Sequence, residues 1–499
     1  MPALKAPGDG RDMGATWCER LNPTDATFLH LESAATPMHV GGIFVYEGRP
    51  PAYRELVEYV ASRLERVPRY RQRLAFVPLG LGRPVWVDDE HFDVEYHVRR
   101  TAVPAPGGDE AVKRVAGRAF GRALDRSRPL WELELVEGVS EDRFVVLSKT
   151  HHCLADGIAG NGIIAAITDS DASTPPPGPP HRFSPRPAPG PAELLAQSLR
   201  DQLTRPLALA RGALTPATEG RGMLLDLRDG IGPLAALAWR GRAPESSLNG
   251  PIGPGRRYEM LSLDLEVVKR IHAILGATVN DVLLAIIAGA LGTLLDARGE
   301  PRRDDLRAFV PVNVRPPGAP DPTGNQVAAV YCPLPVAERD PVARVQKVSA
   351  AMKALKRGKQ ALAALSIVHL EELVPPPVVA PLAWLEIAYR RFNLVVSNVP
   401  GSQAPRYMLG RRLLAFHPLI PLSARQTLSV GLYTYAGTIG FGLLADADRA
   451  RDLSLFARAI RDGLAELAAA TGAEASVDAA PTLVADMPPP DLLVAAAAR

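Results

Sequence analysis

The sequence predicts an α/β protein built from two halves of comparable size. Three observations point there. The chain has 499 residues, more than one core usually supports, since single cores stop growing near about 250–300 residues. Strand-period and helix-period hydrophobic patterns alternate in both halves. Between them the composition breaks: residues 171–191 are dense in proline, and residues 176–257 hold eleven Arg, no Lys and six acids. The expected organisation is a tail over 1–20, a first half over 21–170 and a Pro/Arg-rich linker with connecting helices over 171–254. A second half over 255–472 and a disordered tail over 473–499 follow.

In the first half, residues 38–46 read as a strand. Residues 53–66 carry Leu56, Val57, Val60 and Leu64 at helical spacing. Residues 84–87 and 92–98 read as short strands around an Asp-Asp-Glu turn, and 110–124 as a helix with Val112, Val115, Ala119 and Phe120 on one face. Residues 133–136 and 143–150 read as a hairpin, with a helix starting near Gly157. In the second half, 257–265 reads as a strand, then 265–275 and 278–295 as helices. Strands follow over 307–314 and 327–334, and a helix over 341–355. A long segment, 359–391, is interrupted by Pro375, Pro376 and Pro377. Strands over 394–397, 428–435 and 438–444 come next, the last two joined by an Ala436-Gly437 turn. A helix over 453–470 closes the fold.

Composition excludes several classes. Lys plus Arg is 57 and Asp plus Glu 54, a net charge of +3, too balanced for nucleic acid as the main partner. Three cysteines, Cys18, Cys153 and Cys332, suggest a reducing compartment without a disulfide framework. No signal-peptide pattern is visible. The longest apolar run, 282–295, falls short of the roughly 20 residues of a membrane span and reads as a buried helix. The basic stretch 176–257 reads as a solvated connector or as a face for an anionic membrane or a cofactor's phosphates.

The most informative stretch is His151-His152-Cys153-Leu154-Ala155-Asp156-Gly157, at the end of the strand 144–150. A neutral imidazole there is suited to taking a proton from a hydroxyl. Adjacent residues on an extended segment face opposite ways, so the pair cannot easily share a metal ion. One histidine is expected to face a channel and the other to pack inward. Cys153 as a nucleophile would need a base positioned by the fold. Asp156 reads as a structural anchor of the turn, and Gly157 lets that turn be tight.

The string HHCLADG resembles the H-H-x-x-x-D-G motif of the CoA-dependent acyltransferase superfamily, which includes chloramphenicol acetyltransferase and peptide-synthetase condensation domains. Further segments are similar, in order, to the bacterial wax ester synthase/diacylglycerol acyltransferase family. They are Leu21-Asn22-Pro23-Thr24-Asp25-Ala26-Thr27-Phe28-Leu29, Pro37-Met38-His39-Val40-Gly41-Gly42 and Pro129-Leu130-Trp131-Glu132. Asn280-Asp281-Val282, Val310-Pro311-Val312-Asn313-Val314-Arg315, Gly324-Asn325-Gln326 and Ser397-Asn398-Val399-Pro400-Gly401 continue the series. One segment departs: residues 423–429 read Ser-Ala-Arg-Gln-Thr-Leu-Ser where the family usually has a Gly-rich segment, and Thr434-Tyr435 stands where it has Ser-Tyr.

The resemblance implies two chloramphenicol-acetyltransferase-like domains, each a mixed sheet flanked by helices, with the active-site channel at their interface. It implies transfer of a long-chain fatty acyl group from acyl-CoA to diacylglycerol or a long-chain alcohol, with no permanently bound cofactor and no metal. His152 would be the general base and His151 its support. Asn280 is a candidate oxyanion donor, helped by a helix N-terminus, although Asn280-Asp281 also reads as an N-cap pair. Thr434 and Ser397 are weaker donors, and Arg315 is a candidate partner of Asp156. The location implied is cytoplasmic, with peripheral contact to the inner membrane or lipid droplets. Residues 362–389, with Val378, Val379, Leu382, Trp384 and Leu385, read as a lipid-facing surface or a core helix pair. The alternatives are a related acyltransferase with another acceptor or a carrier-bound donor, and a weakly active lipid-binding paralogue.

Overall fold

The period-two segments of both halves pair into sheets in a computed structural model of the chain, which describes residues 18–154, 167–174, 178, 183–214, 241–313, 327–357 and 390–473. The strands before the linker are β1 (Glu19–Arg20), β2 (His39–Glu47), β3 (Gln72–Ala75), β4 (Val85–Asp88), β5 (Val98–Ala102), β6 (Trp131–Glu137) and β7 (Arg143–His151). Those after it are β8 (Arg256–Asp264), β9 (Leu306–Asn313), β10 (Val327–Leu334), β11 (Leu394–Pro400), β12 (Tyr407–Met408), β13 (Arg411–Leu419), β14 (Leu428–Tyr435) and β15 (Thr438–Asp446). They form two six-stranded mixed sheets, ordered β12-β13-β2-β7-β6-β5 and β10-β9-β11-β14-β15-β8, and a small β1-β4-β3 sheet. In the first large sheet only β5–β6 is parallel, and in the second β11 runs parallel to both its neighbours.

The helices are α1 (Pro23–Leu31), α2 (Tyr53–Arg63), α3 (Val94–His97), α4 (Gly108–Phe120), α5 (Pro191–Leu214), α6 (Leu265–Leu275), α7 (Val279–Ala297), α8 (Pro341–Arg357) and α9 (Leu453–Thr471). The apolar run expected to be a buried helix is α7, with Val282 to Ala288 each at most 1% exposed. It is long and apolar enough to cross a membrane, but it is mostly enclosed by its own half.

Two local expectations are corrected. Residues 92–98 are not a strand: Asp93 accepts the Glu95 N–H at 3.0 Å and caps the helical turn α3, and the strand starts at Val98. Asn280-Asp281 is not the N-cap of α7. Thr278 is, accepting the Asp281 N–H at 3.1 Å, while Asp281 returns a carboxylate to the Thr278 N–H at 2.9 Å, a capping box.

The pattern along the chain missed β13. This strand follows the linker but joins the first half's sheet, pairing antiparallel with β2 from Leu413↔Tyr46 to Leu419↔Gly41. Phe416 on it packs edge-on against Tyr433 of β14, with ring centroids 4.8 Å apart. One apolar cluster joins Tyr46, Trp131 and Phe144 to Tyr433 and Tyr435, and another joins Ile43 and Leu147 to Tyr258 and Leu444. The halves therefore share core at their junction. The β14–β15 hairpin turns through Ala436 (φ 44) and Gly437 (φ 85), the positive-φ pair that two-residue hairpins require.

Candidate active site

Strand β7 lies between β2 and β6 and delivers the histidine pair to the sheet's end. His151 is its last residue, opposite His39 of β2. The chain then turns, with the Leu154 N–H donating to the His151 carbonyl at 2.9 Å and the His152 N–H to the Met38 carbonyl at 2.8 Å. His151 is fully buried, whereas His152 is half-buried.

The His151 ring is held on both sides. The Cys153 N–H donates to its Nδ1 at 3.1 Å, which leaves the proton on Nε2. That Nε2 lies 3.5 Å from Glu32 Oε1. The same oxygen lies 3.3 Å from His39 Nε2. Arg126 closes the group, donating from Nε and Nη2 to Glu32 Oε2 at 2.9 and 2.6 Å. Burial alone would raise the Glu32 pKa, but the close contacts with His151 and His39 and the hydrogen bonds from Arg126 outweigh it and hold the carboxyl ionised, far below its ordinary range. The sequence reading assigned no role to Glu32, Arg126 or Phe28.

Helix α1 explains how these residues meet. Asn22 caps it, accepting the Asp25 N–H at 2.7 Å, and Pro23 opens it. The segment Leu21 to Asp25 is therefore a helix start. The helix carries Phe28 onto the His152 ring, stacked at 3.7 Å between centroids and 15° between planes. It ends just before Glu32, which it points at His39 and His151. A sequence signal existed: Asn-Pro-x-Asp is a helix start, and Glu32 stands at the end of the helix that it opens.

The His152 pKa is lowered to about 4, first by burial and further by His151, against an opposing interaction with its own carbonyl. Its Nδ1 has no hydrogen-bond partner among the described residues. The ring is therefore neutral at physiological pH, the form a proton acceptor needs. Cys153 is buried, and burial pushes its thiol well above the ordinary range. It is a protonated core thiol, unsuited to nucleophilic work. A cavity of about 200 Å³ abuts the turn, lined among others by Asn22, Asp25, Trp86, Cys153 and Leu154. Among the described residues no group of three or more His, Cys, Asp or Glu is placed to hold a metal ion.

In the second half, with Asp281 occupied in the capping box, Asn280 is left to face β11. Its Oδ1 accepts from Asn398 Nδ2 at 3.3 Å, and Asn398 Oδ1 is buried without a partner. The Asn-Asp and Ser-Asn-Val-Pro-Gly segments thus meet. No hydrogen bond or ion pair among the described residues joins them to His152. Thr434 Oγ1 accepts the Gly401 N–H at 3.1 Å and so holds the end of that segment. Leu130 and Trp131 are buried in the first half, and the Trp131 indole donates to the Tyr70 carbonyl at 2.7 Å. Asp156, Gly157, Arg315, the Gly324 to Gln326 segment and residues 362–389 lie outside the described residues.

Two mixed sheets, the first completed by a strand from the second half, with His-His at a strand end and apolar cores meeting between them, define a two-halved acyltransferase. The catalytic-domain profile of the wax ester synthase/diacylglycerol acyltransferase family matches residues 21–283, and its C-terminal-domain profile matches residues 323–468. The probable diacylglycerol O-acyltransferase tgs1 of Mycobacterium tuberculosis is 33% identical over 463 residues, covering 90% of this chain and 96% of that relative. Its tgs2 counterpart is 34% identical over 430 residues, covering 85% and 92%. The wax ester synthase/diacylglycerol acyltransferase of Marinobacter aquaeolei VT8 superposes with a TM-score of 0.65 at 27% identity, covering 91% of this chain and all of that one. The first condensation domain of the calcium-dependent antibiotic synthetase shares the fold, with a TM-score of 0.55 at 15% identity over 95% of this chain and all of that one. The chain belongs to the wax ester synthase/diacylglycerol acyltransferase family and is an acyltransferase.

Proposed function

We propose that the protein moves a long-chain fatty acyl group from acyl-CoA to diacylglycerol, a long-chain alcohol, or both, with His152 as general base. The observation that carries this reading is the pair of histidine environments. His151 is locked by Cys153 and Glu32, while His152 is neutral, partly accessible and flat against Phe28. His152 takes the hydroxyl proton as the alcohol oxygen attacks the thioester carbonyl. A tetrahedral oxyanion forms and collapses, the carbon–sulfur bond breaks, and the CoA thiolate leaves and recovers the proton from His152. General-base assistance of this kind is worth roughly 10²–10⁴-fold.

His151 supports the turn, and Asp156 with Gly157 and Arg315 is assigned to anchoring it. Asn280 is the proposed oxyanion donor. The relatives' names and the shared segments support acyl-CoA and lipid-alcohol substrates. Peripheral contact with a membrane or lipid droplet is supported by exposed apolar side chains: Phe76 (48% exposed), Leu79 (87%), Leu199 (45%) and Leu203 (74%). Ser198 Oγ donates to the Leu81 carbonyl at 2.7 Å, which sets α5 beside the Leu79 turn.

The test incubates the purified protein with palmitoyl-CoA and either diacylglycerol or a long-chain alcohol and follows CoA release. Turnover at least about a hundredfold above His152→Ala on one acceptor is expected. Equal rates for the two proteins on both acceptors would overturn the reading.

A further inference from the structure

Far along α7 from Asn280, the helix layer of the second half encloses a cavity of about 280 Å³ between α7, α8 and α9. Three arginines line it, Arg302, Arg339 and Arg344, and the α9 side presents Asp462 and Glu466. We propose that this cavity binds a small phosphate-bearing molecule with hydroxyl or amine donors, of the polyol-phosphate class, at a site separate from the histidine motif.

Arg344 carries the argument. It is 4% exposed. Its Nε and Nη2 donate to the Glu338 and Arg339 carbonyls, each at 3.0 Å, and among the described residues no carboxylate lies within ion-pair distance. Its Nη1 is the unused arm, with no hydrogen-bond partner among the described residues. A buried guanidinium with no carboxylate in direct contact is costly, and burial pulls the Arg344 pKa down, only partly offset by the Glu466 charge across the cavity. The structure makes room for this charge on purpose-shaped backbone: a Cβ on Gly289 would lie 2.2 Å from Arg344 Nη1.

The same device recurs one turn on. A Cβ on Gly292 would lie 2.7 Å from Arg302 Nη1. Asp296 holds Arg302 by Nε and Nη2, at 2.6–3.0 Å, which fixes the fork and again spares Nη1. The Arg339 side chain makes no hydrogen bond or ion pair among the described residues, and it is exposed at the rim. Glycine in an otherwise apolar helix interior is destabilising against alanine, so the placement of two over guanidiniums is informative. Among the described residues Asp462 and Glu466 make no hydrogen bond or ion pair with the three arginines, although Glu466 is near enough to Arg344 to favour its charge. The space between the arginine wall and the acid wall is thus sized for a ligand that is anionic at one end and donates hydrogen bonds at the other. Arginine forks match phosphate oxygens, and the two carboxylates match hydroxyl or ammonium donors.

The test is isothermal titration of the full chain with inorganic phosphate and with glycerol 3-phosphate. Both are expected to saturate at one site, glycerol 3-phosphate tighter than phosphate. Arg339→Gln, at an exposed position that leaves the fold intact, should weaken both by roughly tenfold or more, the loss of a charge-assisted contact. Gly289→Ala, with circular dichroism as the fold control, should abolish binding by displacing the Arg344 arm. Asp462→Asn should weaken glycerol 3-phosphate and leave inorganic phosphate unchanged. No saturable binding by the wild-type chain overturns the proposal, as does equal affinity in wild type and Arg339→Gln.

Discussion

At equal depth the two halves bury different matter. The second half wraps α7 in aliphatic side chains, with Leu283, Leu284, Ile286 and Ile287 each at most 1% exposed. The first half, behind the end of β7, buries Glu32, His39 and His151, with side chains 5, 1 and 0% exposed. One residue pair back, Lys149 is 1% exposed and donates to the Ala119 and Arg122 carbonyls at 3.0 and 3.1 Å, with Glu132 at 3.2 Å. An apolar filling of similar volume is often as stable as a buried ionic group, or more so. The first half therefore gives up stability for a fixed arrangement of rings and charges, and it does so where the motif lies. The second half is the scaffold against which that arrangement is held.

The largest test of this contrast is His152→Ala. The rate of CoA release should fall about 10²–10⁴-fold while thermal unfolding stays near wild type. A loss of melting temperature that accounts for the lost rate would make His152 a core residue and erase the distinction.

Next come paired substitutions, one per half. Leu284→Ala should cost about 2–5 kcal/mol of stability, with normal turnover per folded molecule. Glu32→Gln should lower both stability and turnover, the latter by roughly tenfold or more, because a loosened His151 misplaces its neighbour. Denaturant unfolding and kcat on the same samples separate the two, and a Glu32→Gln protein with unaltered kcat would deny Glu32 its positioning role.

Acid should find the histidine-bearing sheet first. His152 and His39 have pKa values lowered to about 4 by burial, below the ordinary value near about 6.5. Between those values the unfolded chain binds protons that the folded one does not. The contribution is full above about pH 6.5, falls as pH drops, and amounts to about 2 kcal/mol lost per histidine by pH 5. Urea midpoints between pH 8 and pH 5 measure it, and pH-independent midpoints would contradict it. The same low value predicts kcat/KM with no inflection near pH 6.5, since the base stays neutral down to about pH 5. A bell limb at the ordinary histidine value would mean that His152 is solvated in the free enzyme.

The smallest effect concerns the segment that departs from the family pattern. Arg425 adopts φ 66, a left-handed conformation that suits glycine and costs other residues about 1 kcal/mol. Arg425→Gly should be neutral or stabilising by up to about 1 kcal/mol, read by thermal unfolding, and a clear destabilisation would show that its side chain is needed.

What the sequence made legible was local. The β7 run, the α7 run and the β14–β15 hairpin each carry their period, their ends and their turn residues within about twenty positions. The Thr278-x-x-Asp281 box was equally local, yet the adjacent Asn-Asp pair drew the cap to the wrong residue. Glu32 and Arg126 escaped because their meaning is relational: they are 94 positions apart and 2.6 Å distant. The strand β13 escaped for two reasons. Pro418 near its end weakens a strand reading, and its partner β2 lies in the other half, so no neighbouring pattern announces it. Asn280 was found as a residue, but its contact with Asn398 depends on β11 crossing the start of α7, which no spacing encodes.

That crossing strand also sets an order of events during synthesis. From Tyr46 to its partner Leu413 the ribosome must add roughly 370 residues, which at about 5–20 residues per second takes roughly 20–75 seconds. Once β7 (Arg143–His151) has been made, β2 can pair with it on one side while its other edge stays open until β13 follows. An open edge is a template for the wrong strand, and here that edge belongs to the sheet that must later present His152. The nascent first half therefore emerges with its sheet unfinished, a natural client for a chaperone that shields an edge until the chain's last quarter arrives.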